Sequence, residues 1–157
     1  MKKILAKIKK LLKQGTSPRG LALSATLGIT IGLFPVLGIT SWLIPIIALR
    51  MRLNLALMLA LSYLAWPFQI ILIIPFLRFG EWLWEMPPFP ISLEKLQTAF
   101  EASFIGALND FWVANLVAAG GWLVVILPTG ILLYYILLPV FNYQLKKKEV
   151  PIPQSEE

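Results

Sequence analysis

An apolar run extends from Leu21 to Leu49 without a single charged residue. A helix on the surface of a soluble protein needs a polar face toward water, and this run provides none. Arg19 stands just before the run, and Arg50 and Arg52 stand just after it. A run of this length is typical of a transmembrane element. The sequence therefore predicts an all-α integral membrane protein.

The composition supports the same fold class. Hydrophobic residues make up 58% of the chain and charged residues 14%, whereas an ordinary globular domain has about 25% charged residues. Cysteine and histidine are both absent, which excludes disulfides, thiol nucleophiles, histidine metal sites and imidazole acid–base chemistry. No apolar block combines a nucleophile with a base. We therefore expect a protein that is not an enzyme, with no catalytic residues, no bound metal and no cofactor.

Clusters of charged residues and breaks at Pro and Gly divide the chain into three parts. Residues 1–14 form a predicted basic amphipathic helix that lies at the membrane interface. Residues 15–145 form a predicted membrane domain, and residues 146–157 a polar cytoplasmic tail. The membrane domain contains three hydrophobic blocks, 18–49, 53–77 and 111–141, with an interfacial loop at 78–110.

The first block predicts a Pro-broken helical hairpin. Thr16 or Ser17 is suited to cap a helix that starts at Pro18, because proline lacks an N–H that would have no helical partner there. We expect this helix to run to residue 34. Pro35 would end it, Gly38 would allow the chain to turn, and residues 36–49 would form the returning limb.

Small residues form a stripe along the first limb of this hairpin. They recur at helical spacing at Ala22, Ala25, Gly28 and Gly32. Small side chains allow helix backbones to approach closely in lipid, where packing drives association. The stripe therefore predicts helix–helix packing in preference to a groove for a lipid tail.

Prolines also interrupt the two later blocks. Pro67 and Pro128 predict kinks in transmembrane helices. Gln69 follows Pro67 closely, so we expect its amide to satisfy the carbonyls that the kink frees. Asp110 is a candidate N-cap for the last block, which is either one long kinked span or a second hairpin.

The positive-inside rule gives a topology. With the first block as a hairpin and each later block as one crossing, all 14 Lys and Arg residues except Arg78 and Lys95 are cytoplasmic. This arrangement is a multi-pass protein of the inner membrane with both termini in the cytoplasm. A competing arrangement makes all three blocks re-entrant hairpins and satisfies the rule equally well.

The N-terminal half of the chain resembles a known bacterial family. The run Gly15-Thr16-Ser17-Pro18-Arg19, followed by Ala22, Gly28, Gly32, Pro35 and Gly38, is similar to the signature of domain of unknown function 2062. The resemblance covers roughly residues 15–141, with its most specific part at 15–52. Members of that family typically have Asn-Pro where this chain has Trp66-Pro67. The resemblance implies an integral membrane protein and supplies no reaction.

Two functions fit these features. The first is non-enzymatic binding or transport of an amphiphile or lipid-linked precursor, with a lipid headgroup bound by Arg19, Arg50 and Arg52. Its motivation is that Pro-broken hairpins often form binding sites in transporters. The alternative is a structural or assembly subunit that packs on a partner through the small-residue stripe. Expected partners are membrane lipids and either a second copy of the chain or another membrane protein, and not nucleic acid.

Overall fold

The computed structural model of the protein describes residues 17–36, 38–89, 97–98 and 101–148. In this part of the chain four helices occur, and no strand. We name them α1 (Pro18–Gly32), α2 (Thr40–Met51), α3 (Leu55–Leu83) and α4 (Phe104–Lys148). The predicted all-α fold is confirmed. The predicted interfacial helix at 1–14 lies outside the described residues, as do part of the 78–110 loop and most of the predicted tail.

Helix α1 begins where the sequence indicates and ends earlier than expected. Ser17 is the N-cap, and its side chain accepts a hydrogen bond of 3.1 Å from the backbone N–H of Gly20. Pro18 occupies the first helical position. The predicted end at residue 34 is wrong, because α1 stops at Gly32. The residue before a proline is disfavoured in the helical conformation, and Phe34 precedes Pro35.

A short turn leads from α1 into α2. Gly38 has a φ of +87°, a conformation that L side chains rarely adopt. Helix α2 begins at Thr40, four residues later than the predicted limb, and it contains Pro45. Arg52 ends it in the left-handed conformation with a φ of 54°. Helices α1 and α2 together form the hairpin, and its tip is the turn between them.

Helices α1 and α3 run in the same direction, side by side. The Ser24 hydroxyl accepts a hydrogen bond of 2.9 Å from the Asn54 backbone N–H, where α3 begins. One turn further along, Gly28 lies against the Met58 backbone, and Gly32 then lies against Ser62. The contacting residue numbers rise together, so the two helices are parallel. Helix α2 therefore returns the chain to the level of Ser24, about 9 Å beyond the first residue of α1 at 1.5 Å per residue.

Helix α4 runs antiparallel to both. Gly121 and Gly80 approach each other closely at the crossing of α4 with α3. Further along α4, Gly130 lies near the methyl groups of Thr30 and Thr26 on α1. The part of α4 around Gly121 thus lies against the later part of α3, and the part from Trp122 to Gly130 lies against α1.

The structure corrects two predicted boundaries in the later blocks. Helix α3 continues through Pro67 and Pro75 to Leu83, so the segment 78–83, predicted as loop, is helical. Helix α4 begins at Phe104, which places Asp110 inside the helix and excludes it as an N-cap. The Ser103 side chain instead accepts a hydrogen bond of 3.1 Å from the Gly106 N–H.

The competing arrangement with three re-entrant hairpins is wrong for the second and third blocks. Each block forms one continuous helix, even though α4 contains Pro128 and Pro139. A proline removes one helical hydrogen bond. In apolar surroundings the remaining bonds are retained, because no water is present to replace them. All four prolines inside α3 and α4 have exposed side chains.

Helices α3 and α4 are long and apolar enough to cross a membrane. In their most apolar windows only 22% of α3 and 11% of α4 is buried. The core helix of a soluble protein would be mostly buried. The large apolar side chains of both helices therefore lie mainly on the surface of the chain.

Candidate functional site

A groove lies between the tip of the α1–α2 hairpin and the adjacent part of α3. We call it the hairpin-tip groove, and its cavity volume is about 410 Å³. Its polar side chains are four hydroxyls and one amide, from Thr40, Ser41, Ser62, Tyr63 and Gln69. The rest of the described lining comes from Gly38, Leu59 and Trp66. The groove thus combines polar groups with apolar surface and, among the described residues, carries no charged side chain.

Gln69 forms the inner wall of the groove. Its side chain is 2% exposed, and its Nε2 donates a hydrogen bond to the Phe34 carbonyl at the end of α1. The prediction that it satisfies carbonyls freed by Pro67 is wrong, because its partner lies on a different segment. The Oε1 atom accepts no hydrogen bond from any described residue. Gln69 thus fixes the hairpin tip to α3 and presents an unused acceptor beside the cavity.

The hydroxyl groups come from two helices. The Ser62 hydroxyl on α3 donates to the Leu59 carbonyl at 2.9 Å, so its oxygen is still able to accept. Thr40 and Ser41 occupy the first turn of α2, where the N-cap Ile39 provides no side-chain hydrogen bond. The Trp42 and Leu43 N–H groups at the start of α2 both donate to the Ile39 carbonyl, at 3.1 and 3.0 Å. The start of this helix carries partial positive charge.

Two aromatic residues of α3 form the outer edge of the groove. The Tyr63 side chain is 69% exposed and that of Trp66 is 55% exposed. Both have an apolar ring and a polar group, so they are suited to a boundary between a polar cavity and an apolar surface. Pro67 follows directly and leaves the Tyr63 carbonyl without its helical donor. The groove opens next to this locally weakened turn of α3.

Helix α4 supports the hairpin tip from its other side. The Trp122 indole Nε1 donates to the Thr30 carbonyl at 3.2 Å. The Trp122 ring also meets the Phe34 ring edge to face, with 4.9 Å between the ring centroids. The last turn of α1 is therefore held between α4 and Gln69 of α3.

The small-residue stripe lies inside the chain. Ala22, Ala25, Gly28 and Gly32 are all buried. A Cβ atom at Gly28 would lie 2.8 Å from the Met58 carbonyl oxygen, and one at Gly32 would lie 2.8 Å from the Ser62 Cα. At both glycines α3 of the same chain covers the stripe, so these positions are not exposed to a partner protein. The role as an assembly subunit stays a prediction.

Arg19, Arg50 and Arg52 lie at the same end of the helices, which we call the arginine end. They flank the start of α1 and the turn between α2 and α3, and all three are exposed. The single ion pair of the described residues lies elsewhere, between Arg78 and Glu81 at 2.7 Å. The structure thus separates the three arginines from the hairpin-tip groove, which lies at the opposite end of α1 and α2.

The far end of α3 has a polar cluster of its own. Glu81 is buried and accepts two hydrogen bonds from the Arg78 guanidinium and one of 2.8 Å from the Phe89 N–H. Phe89 and Met86 pack against a small core formed by Leu77, Val117 and Ala118. These contacts hold the segment after α3 against α4. They indicate a structural role for Glu81.

Sequence reasoning found only part of the groove. It identified Gln69, although with a wrong partner, and it identified Gly38 as the turn. It assigned no ligand contact to the other lining residues, which are Thr40, Ser41, Ser62, Tyr63 and Trp66. The hydroxyls of Thr40 and Ser41 on α2 are far along the chain from those of Ser62 and Tyr63 on α3. Only the parallel packing of α1 and α3 brings them together.

The comparisons with known proteins agree with the resemblance in the sequence. A family model described as an uncharacterized protein conserved in bacteria, domain of unknown function 2062, matches residues 2–149. The chain belongs to this family. The match to domain of unknown function 2062 extends beyond the predicted 15–141 at both ends and includes all four helices. No similar curated protein and no similar solved structure was found.

Proposed function

We propose that this chain is an integral membrane protein that binds an amphiphile, with the polar part of the ligand in the hairpin-tip groove. One observation carries the proposal. A polar cavity with a buried amide, Gln69, lies within the charge-free stretch 55–77 of a helix long enough to cross a membrane. Polar side chains at such a depth are costly in lipid and commonly mark ligand pathways.

The distribution of side-chain size supports a membrane environment. Helix α1 is largely buried through small residues, including Ala22, Ala25 and Gly28. Large apolar side chains such as Ile105 and Leu127 of α4 are exposed. In a soluble protein large apolar residues are mostly buried, whereas here they form a small core that includes Ile44 and Met58, and many others are exposed. This distribution matches helix association in lipid, where close packing of small residues drives contact.

The depth of the groove supports an amphiphilic ligand. At 1.5 Å per residue, Leu59 and Gln69 lie about 8 and 22 Å along α3 from Asn54, at the arginine end. The hydrocarbon layer of a bilayer is about 30 Å thick. The groove would thus lie in its interior, where the ligand's apolar chains meet lipid and its polar part requires a polar cavity. Helix α1 is about 22 Å long and α2 about 18 Å, so the hairpin would be re-entrant, with its tip near mid-membrane.

The arginine end supports an orientation. Arg19, Arg50 and Arg52 are exposed and without a salt bridge to a described residue. Cytoplasmic flanks of membrane helices are enriched in such residues. Each cation near an anionic headgroup layer contributes about 1 kcal/mol. The arginine end would face the cytoplasm in a multi-pass protein with both termini on that side.

Binding, with or without transport, fits the groove better than catalysis. Its described side chains are hydroxyls, an amide, two aromatic rings and one aliphatic group. These groups are suited to position a ligand through hydrogen bonds. A serine hydroxyl without an adjacent base is a weak nucleophile. The ligand would therefore leave the site chemically unchanged.

Native mass spectrometry of the protein released from lipid nanodiscs tests the proposal. The wild-type chain should retain lipid, and Ser41→Phe, which fills the exposed wall of the groove, should reduce retention severalfold. Thr129→Phe is the matched control, because Thr129 is also an exposed hydroxyl residue but lies on α4, outside the groove. Equal retention by the two variants would argue against the groove as the binding site.

A further inference from the structure

We infer that the hairpin-tip groove binds an uncharged, hydroxyl-bearing group, and that any anionic part of the ligand lies instead at the arginine end. This inference rests on the proposed function and specifies its ligand. Three features of the groove favour such a group: its hydrogen-bonding capacity, its distance from any described charge and the burial of Gln69.

The free hydrogen-bonding groups of the groove are both donors and acceptors. The Gln69 Oε1 atom is an acceptor, and the Ser62 oxygen accepts because its proton is used by the Leu59 carbonyl. The hydroxyls of Thr40 and Ser41 are able to donate or accept. A phosphate oxygen only accepts and an ammonium only donates. A hydroxyl does both, so it matches every polar group of this lining.

No described charge lies close enough to compensate an ion in the groove. Along the chain the charged residues nearest to the α3 part of the groove are Arg52, which lies just before α3, and Arg78 within it. They lie about 10 Å beyond Leu59 and about 14 Å beyond Gln69 along the helix, at 1.5 Å per residue. An ion held in an apolar environment without a partner is strongly disfavoured. The partial positive charge at the first turn of α2 equals about half an elementary charge. This is too little to balance the negative charge of a phosphate.

Gln69 provides an observation independent of the helix end. A side chain that is 2% exposed is nearly always fully hydrogen-bonded. Gln69 uses only Nε2 within the described chain, and its residue lines the cavity. Among the described residues only Thr26 has a fully buried side-chain polar atom without a partner, so the Gln69 Oε1 atom is open to the groove. It is available there to accept a hydrogen bond from an uncharged hydroxyl.

The aromatic edge is compatible with the same class of group. Tyr63 and Trp66 present exposed ring surface next to the hydroxyls. Aromatic rings of this kind pack against the apolar carbon–hydrogen face of a ligand, while the Tyr hydroxyl and the Trp N–H remain available for hydrogen bonds. A polyol group has both a hydroxyl edge and a carbon–hydrogen face. The acyl chains would continue along the exposed apolar surface of α3.

The test uses nanodiscs that contain equal amounts of phosphatidylglycerol and monoglucosyl diacylglycerol with identical acyl chains. The first lipid has an anionic headgroup and the second an uncharged one with hydroxyls. After release, native mass spectrometry measures how much of each lipid the protein retains. The wild type should retain both, since the two sites are separate.

Two sets of variants separate the sites. Replacing Thr40→Val together with Ser41→Ala removes two groove hydroxyls with little change of volume, and we expect about a tenfold loss of glucosyl lipid with phosphatidylglycerol unchanged. Arg50→Ala with Arg52→Ala should lower only phosphatidylglycerol. Thr129→Val is the matched control for hydroxyl removal outside the groove, and it should change neither lipid.

The outcomes distinguish this inference from the proposed function. If removal of the groove hydroxyls releases phosphatidylglycerol and spares the glucosyl lipid, the groove binds an anionic group and the inference is overturned, while amphiphile binding stands. If neither lipid responds to the hydroxyl variant or to Ser41→Phe, both fail. A second measurement on the wild type needs no variant. Dodecyl maltoside should displace retained glucosyl lipid and dodecyl phosphate should not, and the reverse order would overturn the inference.

Discussion

Helices α1 and α4 are both apolar and proline-marked, yet they occupy opposite environments. Helix α1 buries Ser24, Thr26 and Thr30 together with Ala22, Ala25, Gly28 and Gly32. Helix α4 exposes leucines, isoleucines, valines and tyrosines over most of its length. Hydropathy alone would give both helices the same role. The difference shows that side-chain size sorts these helices, because small residues allow the closest approach of backbones.

The close contact of α1 with α3 should be the most sensitive part of this arrangement. Gly28→Leu would drive a side chain into the Met58 backbone, since even a Cβ atom would lie 2.8 Å from its carbonyl oxygen. Overpacking of this kind costs about 1–3 kcal/mol and occasionally more, and we expect the upper end because backbone cannot move aside. Reversible unfolding with sodium dodecyl sulfate measures the change in free energy.

The control for that variant is Gly106→Leu. A Cβ atom at Gly106 would meet only the Ser103 side chain, at 3.2 Å from its Oγ, and no backbone of another helix, so this change should cost much less than Gly28→Leu. If Gly28→Leu were as stable as the control, the tight packing of α1 would not determine the fold. The comparison between α1 and α4 would then lose its basis.

The hydrogen bond at the hairpin tip should have the next largest effect. Gln69→Leu removes the donor to the Phe34 carbonyl and leaves that carbonyl without a partner. An unsatisfied buried polar group costs about 1–3 kcal/mol. Thermal unfolding in mild detergent would show a lower midpoint for this variant than for Gln144→Leu, which changes an exposed glutamine on α4. Equal midpoints would contradict a structural role for Gln69 in holding the tip.

The polar link between α4 and α1 should contribute less. Trp122→Phe keeps a ring against Phe34 and removes only the indole N–H that donates to the Thr30 carbonyl. We expect a loss of about 0.5–1.5 kcal/mol, the usual net contribution of one hydrogen bond. Trp112→Phe on the exposed face of α4 serves as the reference in the same unfolding measurement. A larger loss for Trp112→Phe would reverse the order of buried and exposed positions.

The smallest effect should come from the exposed face of α4. Leu127 is 58% exposed, so Leu127→Ala should change the free energy of unfolding by less than about 0.5 kcal/mol. A buried leucine would lose about 2–5 kcal/mol on the same change. A loss in that larger range would mean that another protein covers this face in place of lipid. That result would sharpen the comparison by showing α4 to be an interface.

Several elements of the fold were predictable because their signals are local. Ser17-Pro18 indicated the start of α1, and Gly38 indicated the turn, since each depends on a few neighbouring residues. The length and apolarity of the later blocks indicated helices able to span a membrane. The ends of α3 and the start of α4 were not predictable, because composition changed at 78–110 while helical hydrogen bonding continued to Leu83.

The candidate site was less accessible to sequence reasoning for a physical reason. Gln69 and Phe34 are far apart along the chain, and their hydrogen bond exists only because α1 and α3 run parallel at close distance. Nothing near Gln69 in sequence identifies that partner. In the sequence, Thr40 and Ser41 are similarly indistinguishable from ordinary helix residues with hydroxyls. Only the folded turn places them opposite α3.

The sequence by itself determined the membership in domain of unknown function 2062, the all-helical fold and the positions of the hairpin cap and turn, because these depend on local chemistry and on hydrophobic runs. The tertiary structure decided which apolar helix is buried and which is exposed. It also decided that the small-residue stripe packs within the chain, and that an uncharged polar groove forms at the hairpin tip. These features depend on how closely backbones approach, which is a property of helix pairs and not of any single segment.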